Sequence, residues 1–206
     1  MTALRLLAVR HGETAWSRER RFTGARDVPL TERGRRQSEA LAAALAETAV
    51  AAVCASPLER ACATAEAIAK PHRLEVSVEP AFREMAFGAW EGLTRDALPP
   101  DTMEAWRRAP DRIVPPGGEP LGAVASRVAA AMARLRDGHQ GATVVLVSHA
   151  IVIRLIVLTA LGLGLERLWS VDASPGGLTE IEYEEGWATV HRMNTLAHLD
   201  ALESTP

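Results

Sequence analysis

The sequence has little of several things. Its 206 residues include two cysteines, Cys54 and Cys62. Their spacing suits neither a metal site nor a disulfide framework, which argues against a zinc-ribbon scaffold and a secreted, disulfide-stapled fold. Aromatic residues make up only 4% of the chain, and the formal net charge is −3. Neither a stacking surface nor the basic field of a nucleic-acid binder follows from that balance. The longest apolar run, from Ala150 to Leu165, is interrupted by Arg154. It is short for a membrane span and reads as a buried helix. No signal-peptide pattern precedes the strand-like residues that begin at Leu4. No glycine-rich loop leads into a helix lysine, so a Walker-type nucleotide site is absent. Internal repeats and low-complexity tracts are absent as well. The expectation is a cytoplasmic protein with reduced thiols, no membrane or nucleic-acid partner, and no metal or cofactor.

Apolar residues supply 48% of the chain, enough for one sizeable core. The pattern reads as a single domain over residues 1–206, with a short cap-like segment around 85–115. Leu4 to Val9 is a buried strand that delivers Arg10, His11 and Gly12 at its C-terminal end. Gly12 would let a ligand approach the backbone closely. Residues 15–30 form a long, arginine-rich connection without periodicity, and such loops are often functional. Thr31 caps a helix running to about Glu47. A second buried strand, Val50 to Ala55, ends at Ser56-Pro57, and Pro57 suits the first turn of the next helix. Arg60 lies one turn inside that helix. Taken alone, it would be a surface ion pair with Glu59 or Glu66.

Leu74 to Val78 is a third strand. The stretch from Phe82 to Gly92 is aperiodic and aromatic-flanked, and it offers two carboxylates, Glu84 and Glu91. Either would suit acid catalysis if desolvated, and either would equally serve to cap loop backbone. Leu121, Val124, Val128, Met132 and Leu135 line one face of an amphipathic helix. Ala142 to Val147 is the cleanest strand; it delivers Ser148 and His149 directly onto the N-terminus of the helix starting at Ala150. Leu178–Glu184 and Ala188–Arg192 read as a hairpin turning at Glu185-Gly186.

Strands alternating with helices predict an α/β fold: a three-layer sandwich around a mostly parallel, mixed sheet. Right-handed crossovers would bring the ends of the first, second and fourth strands to one edge. Two histidines, two arginines and a glutamate meeting there would suit a phosphoryl dianion, with one histidine attacking and a carboxylic acid protonating the departing oxygen.

Leu7-Ala8-Val9-Arg10-His11-Gly12-Glu13-Thr14 with Phe22-Thr23-Gly24, Pro29-Leu30-Thr31 and Gly34 resembles the histidine phosphatase superfamily, in its phosphoglycerate mutase-like branch. Ser56-Pro57-Leu58-Glu59-Arg60-Ala61 with Thr64-Ala65, then Glu84, Gly88 and Trp90-Glu91-Gly92, then Pro116-Gly117-Gly118-Glu119 and Ser148-His149, resemble its later motifs in order. The resemblance implies metal-independent hydrolysis of a small phosphomonoester. His11 would carry a phosphohistidine, Arg10, Arg60 and His149 would bind the phosphoryl group, and Glu84 would be the proton donor. Thr23 and Gly24 would line the substrate side. Two positions depart from the pattern: Ser17 replaces a common Asn and would hold phosphate more loosely, and Ala150 replaces a common Gly and narrows the pocket. A cofactor-dependent phosphoglycerate mutase is the alternative, although the 94–114 segment is short for one. A phosphate-ester-binding module without turnover is the further alternative, and a homodimer is left open.

Overall fold

The computed structural model describes residues 3–203. Strand β1 (Leu4–Arg10) is followed by a single helical turn, α1 (Ala15–Arg18), and then by helix α2 (Glu32–Leu45). Next come β2 (Ala52–Ala55), α3 (Glu59–His72) and β3 (Val76–Val78). Helices α4 (Pro100–Arg108) and α5 (Leu121–Gly138) precede β4 (Thr143–Ser148) and α6 (Ala150–Ala160). Strands β5 (Leu178–Glu184) and β6 (Trp187–Thr195) close the sheet as a hairpin.

The sheet has six strands in the order β3-β2-β4-β1-β5-β6. β1, β2, β3 and β4 run parallel, and β5 and β6 add antiparallel to the far side of β1. Alternation along β1 divides the core into two layers. Leu7 and Val9 pack with Leu41 of α2 and with Ala61, Ala65 and Ile68 of α3. Leu6 and Ala8 face the opposite layer, with Val124 and Val128 of α5 and Ile153 and Val157 of α6. The result is the expected three-layer α/β sandwich. Because β2, β4 and β1 are adjacent and parallel, Arg10 lies opposite Ser148 and Ala55 opposite Val147. The residues that follow these strands, His11, Ser56 and His149, therefore emerge side by side.

Three local expectations change. The 15–30 connection is not wholly irregular: Thr14 and Ser17 exchange hydrogen bonds in a capping box that closes α1. Pro57 precedes helix α3 instead of opening it, because Leu58 is the cap and the Asp27 carboxylate receives the first helical N–H, that of Glu59. Gly12 makes room for Gly34, not for a ligand. A Cβ on Gly12 would strike the Gly34 carbonyl oxygen, and one on Gly34 would strike the Glu13 carbonyl oxygen. The two glycines let the end of β1 and the start of α2 pass in backbone contact.

Candidate active site

His11 is 3% exposed, and its two ring nitrogens have distinct partners. Nδ1 lies 2.7 Å from the Gly12 carbonyl oxygen, which can only accept, so Nδ1 carries the proton. Nε2 receives the Nε–H of Arg60 at 3.2 Å, so its lone pair faces that guanidinium. Burial, then the positive charges of Arg60 and Arg10, hold the imidazole well below its ordinary pKa and keep it neutral. Gly12 N–H donates to the Thr64 hydroxyl, which in turn donates to the Arg60 carbonyl, so the His11 loop is tied to α3.

Arg60 is fully buried, contrary to the surface ion pair its local sequence suggests. Its Nη atoms donate to the carbonyls of Arg26 and Gly24 at 2.6 and 2.8 Å. Gly24 has a φ of +56° and packs where a side chain would collide with Glu91. Glu91 accepts from the backbone N–H groups of Ala25 and Phe87, so of the two candidate carboxylates it is the one that shapes the loop. Arg10 anchors one Nη on the Ala173 carbonyl, while its buried Nε has no partner among the described residues. Burial lowers its pKa to about 10, still far above neutrality.

His149 is fully buried, and its ring centroid is 5.1 Å from that of His11. Its Nε2 meets the Ser56 hydroxyl at 2.6 Å, and its Nδ1 has no partner among the described residues. Burial first, then the charge of Arg60, lowers its pKa well below the ordinary value. Glu84 is 6% exposed. It accepts from the N–H groups of Met85 at 2.9 Å and Ile151 at 3.3 Å, the latter in the first turn of α6. Burial raises its pKa against the pull of these donors and of Arg60 and Arg10, which favours the neutral acid.

Arg10, His11, Arg60 and Glu84, together with Ser17, Thr23, Gly24 and Ala150, line a cavity of about 330 Å³, whereas the fully buried His149 packs against His11 without forming part of its wall. The Ser17 hydroxyl is committed to both backbone groups of Thr14. Two groups at the site, Arg127 and Arg154, carry no clear signal in the sequence, whereas the loop from Trp169 to Gly177 is expected from the sequence to form part of the pocket wall and does so. Arg127 makes a two-point pair with Glu119 and donates to the carbonyls of Ala81, Arg83 and Glu84, which fixes the Glu84 backbone. Trp169, Asp172 and Arg154 form part of the cavity wall. The one hint for Arg154 is its helical position: a lone charge in an apolar run, four residues after Ala150 and so on the same helix face. Among the described residues no group of three or more His, Cys, Asp or Glu side chains is placed to hold a metal ion. Among the same residues no helix is long and apolar enough to cross a membrane.

The family model described as "Histidine phosphatase superfamily (branch 1)" matches residues 6–196. "Phosphoserine phosphatase 1" of Hydrogenobacter thermophilus is 32% identical over 95% of this chain and 94% of its own length. A protein of Escherichia coli named "Probable phosphoglycerate mutase GpmB" is 33% identical over 96% of both chains. Among solved structures, Bacillus stearothermophilus YhfR superposes with a TM-score of 0.89 at 31% identity, covering 96% of this chain and 100% of its own. With a matching model over most of the chain and the same fold in a solved relative, the protein belongs to the histidine phosphatase superfamily, branch 1, whose members work on phosphomonoesters through a histidine.

Proposed function

We propose that the protein hydrolyses a small phosphomonoester through a phosphohistidine on His11. The observation that carries this reading is the state of that imidazole: Nδ1 is pinned as a donor to Gly12, and the Nε2 lone pair is directed at a guanidinium where a dianion would sit. In the first step Nε2 attacks phosphorus, and the bond from phosphorus to the ester oxygen breaks. The Glu84 carboxylic acid gives its proton to that departing oxygen. The Arg10 and Arg60 guanidiniums hold the equatorial oxygens, and charge spreading onto those oxygens is what they stabilise most. With the Ser56 hydroxyl donating to His149 Nε2, the unpartnered Nδ1–H of His149 is one more donor to the same group. In the second step the Glu84 carboxylate takes a proton from water. The water oxygen attacks phosphorus, and the bond to Nε2 breaks, returning its electron pair to His11 and releasing phosphate. No step draws on a metal.

The test is phosphate release from a panel of phosphomonoesters in EDTA, together with acid quenching to trap an acid-labile phosphoenzyme. Release that vanishes in His11→Ala, with label trapped on the wild type only, supports the reading. One relative carries a mutase name, so interconversion of phosphoglycerates is assayed in parallel. Interconversion that requires added bisphosphoglycerate and outruns hydrolysis would replace hydrolysis with phosphoryl transfer. Tight ester binding with neither turnover nor label would leave a binding module.

A further inference from the structure

The cavity has more cationic capacity than a phosphoryl group uses. Beyond Arg10 and Arg60 it is also lined by Arg95 and Arg154. Both guanidiniums lie over one indole, that of Trp169, at 4.8 Å for Arg154 and 5.8 Å for Arg95. Trp169 is itself packed edge-on against Trp106 at 4.7 Å. Arg154 has a 12% exposed side chain and is aimed by its Nε–H, which donates to the Val171 carbonyl at 2.8 Å. Among the described residues its terminal nitrogens make no hydrogen bond. The nearest carboxylate, Asp172, stands 3.7 Å away and is 71% exposed. The Asp172 oxygens are already used by Ala173 N–H, the Ser174 hydroxyl and the Asn194 amide. The Arg95 side chain has neither a hydrogen bond nor an ion pair among the described residues. Trp106 Nε1–H is buried without an acceptor. A second cavity, of about 320 Å³, shares Arg95, Trp106, Arg154, Trp169 and Asp172 with the first, so the space continues past this wall.

A guanidinium held flat on an aromatic face presents its N–H edge as a rigid fork, the geometry that fits a carboxylate or a phosphoryl group with two parallel bonds. We propose that Arg154 and Arg95, both held over the Trp169 ring where the two cavities meet, bind a second anionic group on the alcohol side of the phosphomonoester. This rests on the hydrolytic reading for the first group and narrows its substrates to doubly anionic ones. Neutral alcohols would leave the fork unsatisfied. Asp172 repels the second anion, and the subsite works because that carboxylate is solvated and engaged elsewhere.

The experiment compares matched esters. 3-Phosphoglycerate against glycerol 3-phosphate isolates a carboxylate, and fructose 1,6-bisphosphate against fructose 6-phosphate isolates a phosphoryl group. The wild type is expected to favour at least one charged member by about tenfold or more in kcat/KM, as charge-assisted hydrogen bonds allow. The pair that discriminates identifies the group. That ratio is expected to fall about tenfold in Arg154→Gln and about threefold in the exposed Arg95→Gln. Ratios near one in the wild type for both pairs, or ratios unmoved by both variants, overturn the subsite. Equal losses on charged and neutral esters in Arg154→Gln also overturn it, since they would make Arg154 a ligand of the transferred phosphoryl group. Calorimetric binding of the same esters to His11→Ala separates the two proposals. If the wild type turns over none of them, hydrolysis fails, and the binding ratio alone decides the subsite.

Discussion

Arg60 Nε sits 3.2 Å from His11 Nε2, inside a side chain that is completely buried and has its other nitrogens fixed on the Gly24 and Arg26 carbonyls. That contact joins the proposed nucleophile to a proposed phosphoryl ligand before any substrate arrives. Lysine at 60 would keep a charge but has no rigid fork with which to reach His11 and two carbonyls together. Arg60→Lys is expected to lower kcat/KM by about 100-fold, the scale of losing one aligned donor to a developing anion. Steady-state kinetics on a variant whose circular dichroism matches the wild type checks this. A loss under threefold would mean the fork is not used.

The arrangement of charges predicts an acidic optimum. Attack needs neutral His11, whose pKa is depressed, and departure needs protonated Glu84, whose pKa is raised. The expected kcat/KM profile therefore holds up well below the ordinary histidine range and declines on its alkaline side as Glu84 ionises. Glu84→Gln separates the two steps. A nitrophenolate leaves without a proton, so 4-nitrophenyl phosphate should still phosphorylate His11 while the missing base stalls hydrolysis. Rapid mixing should show a burst of nitrophenol close to one per enzyme, followed by turnover slowed about 100-fold or more. A linear trace at the wild-type rate would remove Glu84 from the mechanism.

The same groups make stability depend on pH. His11 and His149 are held neutral in the folded protein, whereas in the unfolded chain they take protons near pH 6.5. As pH falls through that value the unfolded state binds more protons, so folding stability falls. Glu84 acts with the opposite sign: its folded pKa is raised, so its contribution is lost as pH rises through its unfolded value toward its folded one. Melting temperature is expected to drop between pH 7 and pH 5.5, with a shallower slope in His149→Gln, which removes one of the two neutral imidazoles. Equal slopes would show that His149 is free to charge in the folded state.

The parts of this site that lie at the ends of buried parallel strands were legible in the sequence. β1 and β4 are near-continuous apolar runs, and the residues just after them, His11 and His149, could go only to the sheet edge. What depends on a distant loop folding back was not legible. Arg60 has acidic sequence neighbours, yet its partners are carbonyls more than thirty residues upstream, supplied by the turn at Gly24. Helix α1 was hidden because a three-residue exchange between Thr14 and Ser17 leaves no periodicity. In sequence alone Gly12 suggests space for a ligand, because Gly34, whose backbone passes over it, lies more than twenty residues downstream. Arg127 carries no motif of its own, since apart from Glu119 its acceptors are carbonyls, which every residue has.

That anonymity makes Arg127 a useful probe of positioning. It satisfies the carbonyls of Ala81, Arg83 and Glu84 and balances Glu119 across a part-buried pair. Arg127→Met should lower stability by about 3 kcal/mol, because Glu119 and the carbonyls lose a charged donor together. Acting through Glu84, it should also reduce kcat more for an alkyl phosphate than for 4-nitrophenyl phosphate. A purely structural role would reduce both alike.

The contact between Gly12 and Gly34 yields the last test. Any Cβ on Gly34 would meet the backbone of Glu13, not the tip of a flexible side chain, so relief requires moving either the end of β1 or the start of α2. His11 is attached to that segment, and its Nδ1 anchor is the Gly12 carbonyl itself. Gly34→Ala is therefore expected to cost about 3 kcal/mol in denaturant unfolding and to reduce activity in the fraction that still folds. Gly122, near the start of α5, has open space around its Cβ position. Gly122→Ala should be neutral or stabilise by about 0.5 kcal/mol, through the unfolded chain and the better helix former. Helix propensity alone predicts a gain at both positions, so opposite signs from one substitution would isolate backbone contact as the cause. A stable, active Gly34→Ala would show that β1 and α2 can separate without disturbing His11.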